Sequence, residues 1–326
     1  KFFHTVLSGW VLGAIFVVGV SAWFLLKKRH KEFALQSIKI GAMFGLISTL
    51  LSAWTGDGSG YQVAKTQPMK LAAMEGYYEG REGAGLVAVG LLNPDKEKYN
   101  DGKDPFIFRV EIPQMLSLLA KRELIAFVPG VKDIIEGGYV QKDGTVALSA
   151  AEKIERGKKA IAALASYRSA KKEGNTATAD SAYVTLQENM AYFGYGYIKD
   201  VHHLVPNIPI TFYAFRIMVM LGFYFILFFA VVLFLVYKDK LAEMKWMHWI
   251  ALLTIPLGYI AAEAGWVVAE CGRQPWAIQD LLPTAASVSR VSVGSVQLTF
   301  YIFLVLFTVM LIAEVGIMLR EIKKGP

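Results

Sequence analysis

Hydrophobic residues in this chain are gathered into five long blocks, separated by polar stretches of very different lengths. The blocks cover residues 4–26, 36–56, 208–237, 247–270 and 296–319. Each block has about 20 residues or more, which is the length that a helix needs to cross the hydrocarbon core of a bilayer. The pattern therefore predicts an all-α integral membrane protein with five transmembrane helices.

A long polar segment, residues 57–207, separates the second and third blocks. Its start, Asp57-Gly58-Ser59-Gly60, is rich in residues that favour turns, so we predict a turn there. Residues 150–170 and 179–193 have the apolar periodicity of two amphipathic helices. We predict three domains: residues 1–56 with two spans and a basic loop, residues 57–207 as a loop domain, and residues 208–326 with three spans.

Clusters of basic residues predict the orientation of the chain in the membrane. They lie at residues 27–31, 238–245 and 320–324, and alternation of the spans puts all three on one side. Short basic loops stay in the cytoplasm, so the polar segment is expected on the extracytoplasmic side. The net charge of +7 could suggest a nucleic-acid partner. The positive residues lie beside the apolar blocks, as cytoplasmic loops of membrane proteins require, and we therefore reject that partner.

Three side chains in the outer halves of the spans are candidate ligands, because polar or soft groups inside a membrane need a reason. They are His4, Met218 and Glu270. A His/Met pair can ligate a low-spin heme iron, and a carboxylate can ligate a second iron weakly. From position alone the structural alternatives remain open: an interfacial histidine, a packing methionine, and an ion pair between Glu270 and Arg273.

Two further carboxylates and one aromatic residue lie inside the spans. Glu263, Trp266 and Glu270 are spaced so that they share one face of a helix. Glu314 lies within the fifth span. It could belong to a proton path or form an interhelical hydrogen bond, and its position favours the two roles equally. The single cysteine, Cys271, excludes an intramolecular disulfide framework.

Five motifs, in the same order, resemble the large subunit of cytochrome bd quinol oxidases. The most specific is EAGWVVAECGRQPWAI at residues 263–278. The other four are KFFHTV at 1–6, GDGSGY at 56–61, KLAAME at 70–75 and FYAFRIM at 212–218. The resemblance covers all five spans and both ends of the polar segment, but it is weak over residues 96–185. It begins at about the fifth helix of the family's subunit.

The resemblance implies a role for each candidate residue. His4 and Met218 would be the axial ligands of a low-spin heme b, and Glu270 would ligate a high-spin heme b. Arg216 and Arg273 would neutralise heme propionates or the ligand carboxylate, and Trp266 would lie on the electron path. Lys70, Glu75 and Asp57 would bind and deprotonate quinol. Glu263 and Glu314 would belong to a proton path.

The function implied is a quinol oxidase of the bacterial cytoplasmic membrane, which reduces O2 to water and generates a membrane potential. Its quinol would be ubiquinol or menaquinol, and its oxygen-reducing heme d would belong to the complete complex. We expect two partners: a second membrane subunit, and a polypeptide that supplies the missing N-terminal helices. The chain is expected to be active only together with such partners. Two alternatives remain: a transporter or channel using intramembrane carboxylates, and a non-catalytic assembly subunit.

Overall fold

The computed structural model describes residues 2–141 and 143–326, and its first two elements are long apolar helices. They are α1 (Phe2–Leu26) and α2 (Lys31–Thr66). The basic turn between them contains Lys28 and His30 with φ of 54° and 47°. This left-handed backbone reverses the chain within a few residues, as two neighbouring antiparallel helices require.

The second helix does not end where the sequence predicted. The predicted turn at residues 57–60 is wrong, because α2 continues through it to Thr66. Glycine in a helix costs about 1 kcal/mol relative to alanine, which is why Gly58 and Gly60 favoured a turn. At about 1.5 Å per residue, the 36 residues of α2 span about 54 Å, well beyond the hydrocarbon core.

The first half of the connecting segment folds from short elements. They are α3 (Pro68–Glu75), β1 (Arg81–Glu82), β2 (Leu86–Leu92), β3 (Phe106–Ile112), α4 (Met115–Lys121), β4 (Phe127–Val128) and α5 (Val131–Glu136). Strands β2 and β3 pair antiparallel, and so do β1 and β4. Proline begins α3 and Gly76, with φ of 61°, ends it. This short helix is buried over most of its length, which places its polar side chains in the interior.

The second half of the connecting segment is a helical hairpin, α6 (Ala150–Glu173) and α7 (Thr176–Asn189). A capping box of Ser149 and Glu152 begins α6, and a left-handed Gly174 ends it. Both predicted amphipathic helices are confirmed, although α7 begins three residues earlier than expected. It passes into a 3-10 helix over Met190–Tyr197.

Three long helices complete the chain: α8 (Ile208–Tyr237), α9 (Lys245–Cys271) and α10 (Val293–Lys324). A small hairpin of β5 (Trp276–Ile278) and β6 (Leu282–Pro283) lies between α9 and α10. Five helices in the described chain are long and apolar enough to span a membrane. The predicted fold class is confirmed, with short two-stranded sheets that the hydropathy pattern did not predict.

The chain divides into two compact units. The first comprises Lys1–Thr5, Leu51–Phe223 and Ile260–Ser287, and the second comprises Val6–Leu50, Tyr224–Tyr259 and Val288–Pro326. The first unit contains two apolar cores, in which α3 and the ends of α8 and α9 are packed together. The second unit contains Glu314 on α10, where the side chain is exposed. The predicted three-domain division stays a prediction.

Candidate functional site

His4 is held against α2 through one of its two ring nitrogens. Its Nδ1 lies 3.0 Å from the carbonyl oxygen of Ser52 and 3.4 Å from the hydroxyl of Thr55. A carbonyl oxygen only accepts, so Nδ1 carries the hydrogen and Nε2 keeps its lone pair. Gly56 permits this approach, because a Cβ there would lie 3.2 Å from His4 Cε1. This is the arrangement that orients metal-binding histidines in proteins.

Met218 is half-buried on α8 and faces α9. Its sulfur lies 3.0 Å from the position that a Cβ would take on Gly265. Glycine at that position therefore leaves room for the thioether between the two helices. Met220, two residues further along α8, is 56% exposed and offers a natural comparison.

A buried ion pair joins α3 to α8. Arg216 Nη2 donates to Glu75 Oε2 over 2.5 Å, and the two side chains are only 10% and 3% exposed. The guanidinium also lies over the ring of Phe212, at 4.7 Å from its centroid. Burial raises the pKa of Glu75 above its ordinary value, and the charge of Arg216 opposes that effect. The charged partner of Arg216 is thus a carboxylate on α3.

Lys70 lies on the same short helix as Glu75 but contacts α9 instead of α8. Its Nζ donates to the carbonyl oxygen of Ala269 over 3.1 Å, next to Glu270. A Cβ on Gly272 would lie 3.2 Å from Lys70 Cγ, so the aliphatic stem also packs against the end of α9. The short helix α3 thus places one basic and one acidic group against two different spans.

Glu270 and Arg273 form an ion pair at the end of α9. Arg273 Nη2 donates to Glu270 Oε2 over 2.5 Å, and both side chains are about two-fifths exposed. The pairing that the sequence left open as a structural alternative is therefore present. On the same helix, Glu263 is exposed and Trp266 is 64% exposed. The predicted shared face of α9 points away from the apolar cores of the first unit.

Two buried arginine nitrogens have no hydrogen-bond partner among the described residues. They are Arg216 Nε and Arg273 Nε. A buried donor without an acceptor costs free energy, so such a group marks a place for an acceptor supplied from elsewhere. Arg273 contacts the candidate ligand Glu270, and Arg216 lies two residues before Met218 along α8.

Asp57 is engaged by a residue that the sequence analysis missed. Arg122, at the end of α4, donates from Nη1 and Nη2 to the two carboxylate oxygens, at 3.0 and 2.5 Å. The guanidinium also lies 4.8 Å from the ring centroid of Tyr61. Arg122 has φ of 63°, an uncommon backbone conformation for a residue with a side chain. Because the partners are 65 residues apart, no local sequence signal could have identified this pair.

If the chain has the quinol-oxidase activity that the resemblance implies, we expect Asp57→Asn and Arg122→Ala to reduce that activity slightly and equally. The pair is partly exposed, and such pairs are worth up to about 1 kcal/mol, or about fivefold in an equilibrium constant. If Asp57 acts by anchoring α4, both variants raise the apparent KM for quinol equally, and the double variant adds nothing. Steady-state quinol oxidation checks this, and a much larger loss in Asp57→Asn alone would show direct proton transfer instead.

The family model for cytochrome bd terminal oxidase subunit I matches residues 1–326. The chain therefore belongs to this family, and its five long apolar helices agree with a bacterial membrane protein. It is 34% identical to the cytochrome bd-II ubiquinol oxidase subunit 1 of Escherichia coli (strain K12), over all of this chain and 62% of that one. It is 29% identical to the cytochrome bd ubiquinol oxidase subunit 1 of Bacillus subtilis (strain 168), over all of this chain and 56% of that one.

A solved structure of bd oxidase from Geobacillus thermodenitrificans has the same fold. The TM-score is 0.67 at 23% sequence identity, over 99% of this chain and 57% of that chain. The resemblance stated from the motifs is thus confirmed at the level of the family. The chain spans between 56% and 62% of the length of these curated relatives and structures.

Proposed function

We propose that this chain supplies the quinol-oxidising and heme-b-binding part of a cytochrome bd-type oxidase. The observation that carries the proposal is the buried pair between Glu75 and Arg216. It joins the helix that bears the candidate quinol residues to α8, two residues before Met218. The candidate proton acceptor for quinol and a candidate iron ligand would thereby belong to one packed structure.

The donor chemistry of His4 and Met218 fits a low-spin heme b, which these two side chains would hold. The Nε2 lone pair of His4 is free to coordinate iron, because Nδ1 is committed to the carbonyl oxygen of Ser52. Imidazole and thioether ligation raises the reduction potential of a heme iron. The hemes, once bound, supply one-electron transfer between quinol and the oxygen-reducing heme d of the complete oxidase.

The residues at the end of α9 fit a second, high-spin heme b. Glu270 would hold the iron through one carboxylate oxygen, because Arg273 donates to the other. The unpartnered Nε groups of Arg216 and Arg273 suit the carboxylates of heme propionates, because charge-assisted hydrogen bonds to guanidinium are strong. The exposed ring of Trp266 would be covered by a cofactor or a neighbouring helix and would lie on the electron path.

Lys70 and Glu75 would act directly on quinol. Lys70 would donate to a quinol oxygen from its ammonium group, which its contact with Ala269 holds at the end of α9. Glu75 would accept the proton that oxidation releases, since its raised pKa brings it closer to the range in which a general base works best. Asp57 would contribute indirectly by holding α4 through Arg122, whereas the resemblance implied a direct role in quinol binding or deprotonation.

The remaining parts of the proposal concern the complete complex. We infer a second membrane subunit, further polypeptide that carries heme d, and a connecting segment on the extracytoplasmic side. Ubiquinol and menaquinol both suit a site of one amine and one carboxylate. Glu263 and Glu314 would serve proton movement, and their exposure on the described helices leaves them available to such neighbours.

Optical spectra of the purified complex test the proposal. We expect Soret absorbance and two b-type heme signals that titrate at separate potentials when the chain is isolated from its native membrane with its partners. Reduction by added quinol should reach both signals. Purified complex without Soret absorbance would contradict the proposal and favour a transporter that uses intramembrane carboxylates.

A further inference from the structure

The 3-10 helix that follows α7 contacts the loop after α9 through a partly buried hydrogen bond. The hydroxyl of Tyr195 donates to Asp280 Oδ1 over 2.6 Å, and Gln279 Nε2 donates to the same oxygen at 3.0 Å. The ring of Tyr195 lies edge-on to Trp276, with centroids 4.9 Å apart. Burial and the nearby Asp280 raise the pKa of Tyr195, so its hydroxyl keeps the hydrogen that it donates.

Glycines let the backbones on both sides approach closely. A Cβ on Gly194 would lie 2.5 Å from the carbonyl oxygen of Asp280, and one on Gly157 of α6 would lie 2.3 Å from the nitrogen of Gly196. Both distances are too short for any side chain. The 3-10 helix is therefore packed tightly between α6 and the loop after α9, which fixes the position of the Tyr195 hydroxyl.

That loop leads directly back to the Glu270–Arg273 pair. Asp280 lies in its turn, between β5 and β6, with φ of 60°. The backbone N–H of Trp276, at the start of β5, donates to the carbonyl oxygen of Arg273 over 2.9 Å. The guanidinium of Arg273 then contacts Glu270. A continuous set of contacts thus connects Tyr195 with the candidate iron ligand.

We propose that Tyr195 is a positioning residue for Glu270. Its hydrogen bond to Asp280 and its ring contact with Trp276 fix the loop, so that Arg273 stays on one carboxylate oxygen of Glu270. The inference rests on the proposed function, in which Glu270 ligates the high-spin heme. Groups that hydrogen-bond to a metal ligand set its orientation and basicity, and hence the behaviour of the metal.

Tyr195→Phe in the complete oxidase tests the proposal, because it keeps the ring and removes the donor. We expect faster deuterium uptake over residues 276–284. Mutation of a residue that contacts a metal ligand typically changes metal affinity or activity by about 10–100-fold, and Tyr195 acts less directly, through the loop and Arg273. At a fixed potential we therefore expect about a threefold change in the oxidised-to-reduced ratio of the high-spin heme, with the low-spin heme unchanged.

Tyr197→Phe is the matched control, because Tyr197 lies on the same 3-10 helix and is 42% exposed. It should leave both readouts at the wild-type values. Asp280→Asn keeps an acceptor oxygen and removes the charge, so its effect on the high-spin heme should be smaller than that of Tyr195→Phe. An equal or larger effect would show that Asp280 acts on the heme by charge, and would overturn the positioning role.

Three other outcomes are equally decisive. Wild-type uptake and wild-type heme ratio in Tyr195→Phe would overturn the inference. Failure of Tyr195→Phe to assemble, while Tyr197→Phe assembles, would show a general folding role and would also overturn it. Absence of a high-spin heme from the wild-type complex would refute the proposed function, and unchanged deuterium uptake in Tyr195→Phe would then refute the contact separately.

Discussion

Met218→Leu is expected to abolish the low-spin heme signal of the complete oxidase while leaving the fold intact. Leucine and methionine have similar volumes, and such exchanges in a core usually cost less than about 1.5 kcal/mol. Leucine offers no lone pair, so the iron would lose a ligand, with a change of spin state and a fall in potential. Quinol oxidation should then fall by more than the roughly 10–100-fold typical of changes in residues that only support a ligand.

Reduced-minus-oxidised spectra and a redox titration measure this result. Met220→Leu is the matched control, because it makes the same chemical change two residues away at an exposed position of α8. The control should keep the wild-type spectrum and potential. An unchanged low-spin signal in Met218→Leu would show that this thioether does not ligate the iron.

Glu75→Gln should nearly abolish reduction of the oxidase by quinol while leaving reduction by dithionite unaffected. Glutamine keeps the size of the side chain but cannot accept a proton at neutral pH, and loss of a general base typically costs about 10²-fold or more. It also leaves the Arg216 guanidinium buried beside a neutral group, which destabilises the contact between α3 and α8. Both effects would slow electron transfer from quinol to the proposed hemes.

Stopped-flow absorbance at the heme bands, with quinol or dithionite as the reductant, separates these steps. Glu79→Gln provides the control, because the Glu79 side chain is 74% exposed and its nearest basic partner, Lys132, is 3.6 Å away. Heme reduction by quinol at the wild-type rate in Glu75→Gln would exclude Glu75 as the proton acceptor. Slow reduction by dithionite as well would indicate a structural rather than a proton-accepting role.

Much of the fold was predictable because hydropathy is a local property of the chain. The five spans and the amphipathic pair α6 and α7 follow from periods and lengths that neighbouring residues define. The extension of α2 through Gly58 and Gly60 was not predictable in this way. Local propensity favours a turn there, and the helical conformation is supported by contacts of Asp57 and Tyr61 with Arg122, far along the chain.

The sequence by itself determined the membrane class, the family and the candidate ligands, because these rest on composition, spacing and short motifs. Only the tertiary structure decided what the charged groups contact. Glu75 pairs with Arg216 across 141 residues, and Lys70 reaches Ala269 across 199 residues. Contacts over such distances depend on how separate helices pack, and no local pattern of residues encodes that packing.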